Sequence, residues 1–350
     1  MPNLATPDST NEVGKKVSRV PLVTIASIML LSNSGGVLAQ PQLVAKRVCI
    51  NEVGRIISSG DRYLAVGSEI CLGDKINPAN GSTVKAVCYS SRQVLEFQQG
   101  AVFGVSGICT PQQVQAERRQ CTPLNRNACP KMKGPSEDQD SLKLITPYGN
   151  ILLNTRPTIS WHPVKNATSY TVEITSYEFH WEAEVKDTIL PYPKKRKELE
   201  YSAAYTITVT ANKGNSPINS PGKLVVHVLP ESDVKQVLEE VDVINKLGLS
   251  ADEAAFLDLD IIYMSKGFLN ETINSLKARV AAGSKNPTLF RVLGDRYLDA
   301  WLLDEAFREY KMAEWLAKSS GNSNELAQVQ SRLKLMKSQS QPPMRRKPAQ

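Results

Sequence analysis

Six cysteines are the residues whose type and spacing could carry chemistry most directly in this chain of 350 residues. An even number of cysteines within one small exported module is typical of a disulfide framework. The gaps between them are 21, 16, 20, 11 and 7 residues long and contain no CxxC pair and no histidine, which disfavours a zinc site. We therefore predict disulfides, with the pairing left open, among Cys49, Cys71, Cys88, Cys109, Cys121 and Cys129.

Other groups with catalytic potential give weaker signals. Residues 82–85 and 331–334 both fit the S-x-x-K spacing of serine acyl-enzymes, but the K-T-G that accompanies it is absent. Asp258 and Asp260 are two residues apart, so on a helix the two carboxylates would point to different sides. We expect no enzymatic activity, no metal and no cofactor, with an enzyme whose site the motifs do not reveal as one alternative.

The N-terminus has the layout of a secretory signal peptide. Lys15, Lys16 and Arg19 precede the 12-residue apolar run VPLVTIASIMLL, and small residues follow it up to Ala39. A hydrocarbon core needs roughly 20 apolar residues in a helix, so we predict cleavage of residues 1–39, with an uncleaved anchor as the alternative. The expected protein is periplasmic or secreted, has no transmembrane segment after cleavage and binds no nucleic acid.

Charge is unevenly distributed along the chain, whose formal net charge is +7. Residues 40–135 carry 12 basic and 6 acidic groups, whereas residues 231–337 carry 14 basic and 17 acidic groups. The basic first region could bind wall polymer, lipid headgroups or an acidic partner, or could simply be a solvated surface. A chain of this length is expected to form two or three domains.

Short apolar runs separated by the turn-forming stretches SSGD, LGDK and NPANGS predict a small all-β module over residues 40–110. Within it, GDRYLAVGSEICLGDKINPANGSTVKAVCY resembles the FecR-type β-domain of bacterial envelope sensors. The resemblance implies a bacterial envelope protein. Residues 111–141 are rich in Cys, Pro, Arg and Asn and are predicted to form a linker.

Residues 142–230 contain longer alternating runs, among them TISWHPV, SYTVEITSY and AYTITVTAN, which predict β-strands. With Trp161 in the place of a core tryptophan and a run from Leu199 to Ala211, the stretch resembles a fibronectin type III or immunoglobulin-like sandwich. Tyr201 replaces the proline of that family's run. The resemblance implies that Tyr205 packs its ring in the core and bonds its hydroxyl to nearby backbone.

Aromatic residues alternate with polar ones over residues 177–182. Tyr177, Phe179 and Trp181 could present a sugar-stacking face or a partner-binding edge, or could pack inward from a half-buried strand, which we favour. Three histidines lie on or beside the strands of the same region without metal-ligand spacing: His162, His180 and His227.

The strongest pattern in the chain is an internal repeat with a period of 34 residues, in which residues 290–310 resemble residues 256–276. A fixed period of this length, carried by apolar and aromatic residues, predicts stacked helix pairs over residues 231–337, followed by a disordered basic tail over 338–350. The second unit resembles a tetratricopeptide repeat at Leu293, Gly294, Tyr297, Ala306, Tyr310 and Ala313. The first unit is degenerate: Asp260 stands where Gly294 does, although Gly267 matches the turn glycine.

The tetratricopeptide resemblance implies that the first helix of each unit faces the ligand. The first-unit residues could equally be covered by the preceding helix, whereas Arg291 and Asp295 are expected to be exposed. A groove that is apolar in one half and charged in the other would suit an amphipathic peptide or a partner helix. The candidate groove residues are Leu257, Ile261, Met264, Thr288, Arg291, Asp295 and Leu298.

These patterns together predict a multidomain β plus α protein with a small disulfide-rich all-β module, a fibronectin type III-like sandwich and a tetratricopeptide-like helical repeat. Repeat arrays bind proteins far more often than they catalyse reactions. We therefore expect a non-catalytic exported scaffold or adaptor that binds a protein or peptide in the bacterial cell envelope. A module that binds wall polymer or glycan, through the basic β region and the aromatic strand, is the other alternative.

Overall fold

The computed structural model describes Cys49 and residues 51–104, 108–109 and 142–339. Of residues 338 and 339 it describes the backbone alone. All of these residues belong to one compact unit, Arg47–Gln350. The described residues exclude the predicted signal peptide, the linker over 111–141 with Cys121 and Cys129, and residues 340–350 of the predicted tail. Residues 338 and 339, also assigned to the tail, belong to the last helix instead.

The first region is a small β module, as its turn-rich pattern predicts. Strands β1, β2, β4 and β5 form an antiparallel sheet in the order β2-β1-β4-β5, and β3 pairs with β6. Ile56, Ile70 and Phe103 are fully buried between these strands. The six strands described here are β1 (Glu52–Ile56), β2 (Glu69–Cys71), β3 (Lys75–Ile76), β4 (Val84–Cys88), β5 (Gln93–Phe97) and β6 (Ala101–Val102).

Two disulfides close this module. Cys49 pairs with Cys71 and Cys88 with Cys109, each pair with its Cα atoms 5.5 Å apart. The disulfide prediction is confirmed for these four cysteines. Each bond joins two cysteines about twenty residues apart along the chain. It therefore lowers the conformational entropy of the unfolded chain within the loop that it closes.

The middle region contains two sheets that share one core, and their strands are antiparallel except for one parallel pair. One sheet has the order β11-β10-β13-β15-β8, with β15 and β8 parallel, and the other has the order β12-β9-β7. The strands are β7 (Leu144–Thr146), β8 (Ile151–Leu152), β9 (Thr158–Trp161), β10 (Ser169–Thr175), β11 (His180–Val185), β12 (Ile189–Pro191), β13 (Ala204–Lys213), β14 (Ser216–Pro217) and β15 (Gly222–Val228).

Inward-facing residues of both sheets meet around Trp161. Its ring lies edge-on to that of Tyr170, and both are buried. Tyr205 is buried as well, and its hydroxyl accepts a hydrogen bond from the backbone N–H of Glu200 at 2.8 Å. The role predicted for Tyr205 is therefore confirmed: the ring stabilises the core, and the hydroxyl fixes the chain before β13.

Helices occupy the rest of the described chain, up to Gln339. α2 (Ala251–Glu253) continues through a π-helical segment (Ala254–Leu259) into α3 (Asp260–Ser265), so these three form one helical run. The other helices are α1 (Glu231–Lys246), α4 (Leu269–Ala281), α5 (Pro287–Asp299), α6 (Leu303–Ser319) and α7 (Ser323–Gln339). Among the described helices, none is both long enough and apolar enough to cross a membrane.

The β module, the two-sheet region and the helices pack against one another rather than forming separate bodies. Ile57 and Val87 of the β module share an apolar cluster with Val237 of α1 and Ile261 of α3. Tyr148, which precedes β8, packs its ring edge-on against Tyr297 of α5. These contacts join the helical region to both β regions.

Candidate functional site

The repeat detected in the sequence corresponds to two packed helix pairs. α3 packs on α4 in the first pair, and α5 packs on α6 in the second. Gly294 of α5 allows the close approach: a Cβ atom built on it would lie only 2.6 Å from the ring of Tyr310 on α6. A side chain at this position would therefore push the two helices apart.

The second-unit half of the predicted groove is covered by α7. Glu325 of α7 accepts a buried hydrogen bond from Nε of Arg291 and another from the hydroxyl of Thr288 at 3.0 Å. Arg332 of α7 reaches Asp295 at 3.1 Å, and Tyr310 donates its hydroxyl to the same carboxylate at 2.6 Å. Burial of Asp295 opposes ionisation, but Arg332 and Arg291 outweigh it and hold its pKa below the usual value.

The predicted exposure of Arg291 is wrong, because only 8% of the residue is accessible. Asp295 is half-buried. The charges that the tetratricopeptide resemblance predicted to face a ligand pair with α7 instead. Leu298 is also buried, within the apolar cluster of the repeat.

The first-unit half of the groove is covered too. Ile261 is buried, and Leu257 packs against the same cluster, which contains Val237 of α1 and Ile57 of the β module. Met264 packs on the other side, against the core of the repeat. The structure therefore covers both halves of the predicted groove. For Leu257 and Ile261, the alternative that the preceding helix covers them is the one that the structure shows.

Two buried carboxylates join the helical run to the β module, and sequence reasoning did not find them as a site. Asp258, in the π-helical segment, accepts hydrogen bonds from Arg55 at 3.3 Å and from the hydroxyl of Tyr89 at 3.0 Å. The side chains of Arg55 and Asp258 are both at least nine-tenths buried. Arg55 and Tyr89 also contact Glu52, at 3.0 and 3.1 Å.

Asp260 is the second of these carboxylates. We call the contacts of Asp258 and Asp260 with their arginine partners the ionic junction. Asp260 accepts two hydrogen bonds from Arg296 of α5, at 2.7 and 2.8 Å, and a short one from Arg92 of the β module. Arg296 also bonds Asp299 at 2.6 Å. One carboxylate thus connects the β module, the first helix pair and the second helix pair.

The two aspartates have opposite electrostatic environments. Burial raises the pKa of Asp258 above its usual value, and the opposing contributions of Arg55 and Tyr89 are too small to cancel it. Burial also opposes ionisation of Asp260, but the ion pairs with Arg296 and Arg92 outweigh it and lower its pKa. Two arginines against one carboxylate explain the difference.

Lys85 adds a third ionic link between the β module and the helices. Its Nζ lies 2.7 Å from Glu240 of α1 and 3.6 Å from Glu96 of β5. Cations of the basic first region therefore pair with carboxylates of the acidic helical region. The charge imbalance between residues 40–135 and 231–337 is visible in the sequence, but the acidic partner considered there was another molecule, and this contact within the chain was not predicted.

The remaining chemical candidates do not assemble into a site. Lys85 of the S-x-x-K match is engaged with Glu240. His180 contacts Glu173 at 3.1 Å on the surface, and within the described ranges no group of three His, Cys, Asp or Glu side chains is placed to hold a metal. Trp181 is buried and Phe179 packs on the core of the two-sheet region, so of these three aromatic residues only Tyr177, which is fully exposed, remains available to a ligand.

Comparison with known proteins provides no family. No family model matches the chain, and no curated protein matches it. Among solved structures, a β-1,2-glucanase from Parabacteroides distasonis is similar over 50% of this chain and 34% of its own, with 13% identity and a TM-score of 0.21. A similarity of this size indicates neither a common fold nor a shared activity.

Proposed function

We propose that this protein is a non-catalytic scaffold or adaptor that holds a protein partner in the bacterial cell envelope. The observation that carries the proposal is the stack of two helix pairs at the 34-residue period, in which Gly294 admits Tyr310. Stacked helix pairs present extended surfaces, and such arrays mostly bind other proteins. The close packing of the pairs supports a tetratricopeptide-like architecture.

Fibronectin type III-like architecture is proposed for the middle region. Strand orders β12-β9-β7 and β11-β10-β13-β15, the buried Trp161 and the bonded Tyr205 all support it. Sandwiches of this kind serve as spacers or docking surfaces, so the fold itself supplies no reaction. For the β module, the FecR-type likeness remains a proposal that rests on its turn residues.

We also propose an exported location, which two independent signals support. The disulfides Cys49–Cys71 and Cys88–Cys109 form in oxidising compartments such as the periplasm or the cell exterior. The N-terminal order of basic, apolar and small residues predicts secretion.

Cross-linking in the native envelope, followed by purification of the full-length protein, tests the adaptor proposal. We expect a stoichiometric complex with one protein, which forms again from purified components. Tyr297→Ala should abolish the complex because it removes a ring packed against Tyr148, whereas Tyr297→Phe should preserve it because the ring remains. Circular dichroism of both variants reports the folded fraction at which binding is compared.

Two outcomes would replace this proposal. Co-sedimentation of the purified protein with wall polymer, without any reconstituted protein complex, would favour the polymer-binding alternative. A complex that survives Tyr297→Ala after the helical signal is lost would move the binding surface to the β regions.

A further inference from the structure

Four side chains with more acceptors than protons lie between the β module and the helical run. Glu52 and Arg55 belong to β1, Tyr89 follows β4, and Asp258 belongs to the π-helical segment. We call these four residues the Tyr89 cluster. Asp258 is fully buried, whereas the side chain of Arg55 is 5% exposed and that of Glu52 is 23% exposed. The cluster therefore lies in a place where an uncompensated charge is costly.

The hydroxyl of Tyr89 meets two acceptors. Its oxygen lies 3.0 Å from Oδ1 of Asp258 and 3.1 Å from Oε1 of Glu52. A hydroxyl group has one proton to donate, so it can satisfy only one of two ionised carboxylates. The other would face the lone pairs of the hydroxyl oxygen. A proton bound to one carboxylate removes this conflict, because that carboxyl group then donates to Tyr89 while Tyr89 donates to the other.

The charges of the cluster favour the same bound proton. Among the described residues, Arg55 is the one cation paired with these carboxylates, at 3.3 Å from Asp258 and 3.0 Å from Glu52. The other charged groups that act on the pair, Glu69 of β2 and Glu253 of α2, are negative. Two ionised carboxylates beside one arginine would leave a net negative charge in a buried place. One bound proton makes the cluster neutral.

The surroundings of Asp258 disfavour its ionised form. Its second oxygen, Oδ2, is buried and has no hydrogen-bond partner within the described part of the chain. Burial raises the pKa of Asp258, and also that of Glu52, although Arg55 and the Tyr89 hydroxyl oppose it in both cases. Asp258 also lies in a π-helical segment, a rare geometry that frequently occurs at functional sites.

We propose that Glu52 and Asp258 share one proton through Tyr89, and that its loss as pH rises loosens the β module from the helical run. Glu52 belongs to the β module and Asp258 to the helices, so repulsion between the two ionised carboxylates acts directly across this contact. The Tyr89 cluster is then a pH-sensitive switch. An exported protein meets the pH of its surroundings, and the cluster makes the attachment of the β module depend on that pH. This inference does not depend on the adaptor function proposed above.

Proton binding by the cluster should stabilise the folded protein in acid. A carboxyl group whose pKa is raised by folding binds more protons in the folded protein than in the unfolded chain. Its stabilising contribution is fully present below the ordinary values, 3.8 for Asp and 4.5 for Glu, and is lost as pH rises through the raised pKa. One shared proton changes the folding equilibrium constant by up to about tenfold per pH unit within that window.

Urea denaturation of the full-length protein, repeated from about pH 4 to about pH 8, tests the inference. Asp258→Asn introduces a neutral amide of the same size, which resembles the protonated carboxyl group at every pH. The ratio of the folding equilibrium constants, Asp258→Asn over wild type, should rise with pH by up to about tenfold per unit. Asp304→Asn removes an exposed carboxylate of α6 and should leave the pH profile unchanged.

Two further variants distinguish a shared proton from a contact that only packs. Glu52→Gln should remove the pH dependence as well, because two carboxylates that share a proton titrate as a pair. The double variant Glu52→Gln with Asp258→Asn should remove no more than either single change. Tyr89→Phe deletes a donor that favours ionisation of both carboxylates, so the pH dependence should move to higher pH. A role in packing alone would change stability equally at every pH.

Two results would overturn the inference. One is a ratio for Asp258→Asn that stays constant from about pH 4 to about pH 8, which would show that the cluster releases no proton in this range. The other is a pH dependence that Glu52→Gln leaves intact, which would show that the proton is not shared. If Asp258→Asn does not fold, Glu52→Gln on the partly exposed side of the cluster provides the same comparison with the wild type.

Discussion

Replacing Asp260 by asparagine is the sharpest perturbation of the ionic junction. The substitution keeps the size of the side chain and removes only the charge that Arg296 and Arg92 share. Removing one partner of a buried ion pair costs about 3–5 kcal/mol because the other charge remains buried. Arg296 retains Asp299 at 2.6 Å, and Arg92 is 39% exposed and can return to water. We therefore expect a loss near the lower end, about 3 kcal/mol.

Equilibrium denaturation in urea measures this loss, and Asp252→Asn is the matched control. Asp252 lies on the same helical run and bonds Arg279 at 2.8 Å, but both side chains are partly exposed. Partly exposed pairs contribute about 0–1 kcal/mol, so the control should unfold close to the wild type. Hydrogen exchange should show that Asp260→Asn also weakens protection in β5, which packs near α3.

The pH dependence of the free energy of unfolding is an independent test of the role of Asp260. The pKa of Asp260 in the folded protein lies below its ordinary value of 3.8, so the unfolded chain binds more protons in that range. The stabilisation is fully present above the ordinary value and is lost as pH falls through the lowered pKa. The gap between wild type and Asp260→Asn should therefore close below about pH 4. A cost under about 1 kcal/mol at neutral pH would show that the junction is no stronger than a surface ion pair.

Three further predictions concern the groove, the disulfides and the N-terminus. The double charge reversal Arg291→Glu with Asp295→Lys should destabilise the fold by about 3–5 kcal/mol in thermal or urea unfolding. The reason is that Glu325 and Arg332 of α7 would then face like charges. An unchanged unfolding midpoint would contradict the packing of α7 on this face. Replacing Cys88 and Cys109 by alanine should cost about 2–4 kcal/mol, and peptide mapping should recover Cys88 linked to Cys109 in the wild type. Intact mass of the envelope protein should place its N-terminus at or near Gln40, and retention of residues 1–39 would indicate an anchor.

Local patterns predicted the local structure of this chain well. The burial of Trp161 and the bonded hydroxyl of Tyr205 follow from strand alternation and from residues only a few positions apart. Disulfides were predictable as a class but not as pairs. The pairs depend on which strands are neighbours: β1 lies between β2 and β4, so Glu52 faces Cys71 and Gly54 faces Cys88. That order is a long-range property of the sheet.

Prediction of the candidate groove failed for a related reason. The repeat register predicted that this face of each first helix is open to a ligand, whereas the structure covers it. What covers the face lies outside the repeat: Glu325 on α7 for Arg291, and Val237 on α1 with Ile57 of the β module for Ile261. A period in the sequence describes how one unit packs on the next, and contains no information about elements that are not part of the period.

Departures from the repeat pattern carry more information here than agreement with it. Asp260 stands in the first unit where the second has Gly294, and this departure is the carboxylate that binds Arg92 and Arg296. Trp301 stands in the second unit where the first has Gly267, and this departure is an exposed indole in the turn between α5 and α6. One change directs a charge to contacts within the chain, and the other directs an aromatic ring outward. A buried charge or a strained aromatic residue costs stability, so its place in an otherwise apolar repeat indicates a contact that the repeat alone does not supply.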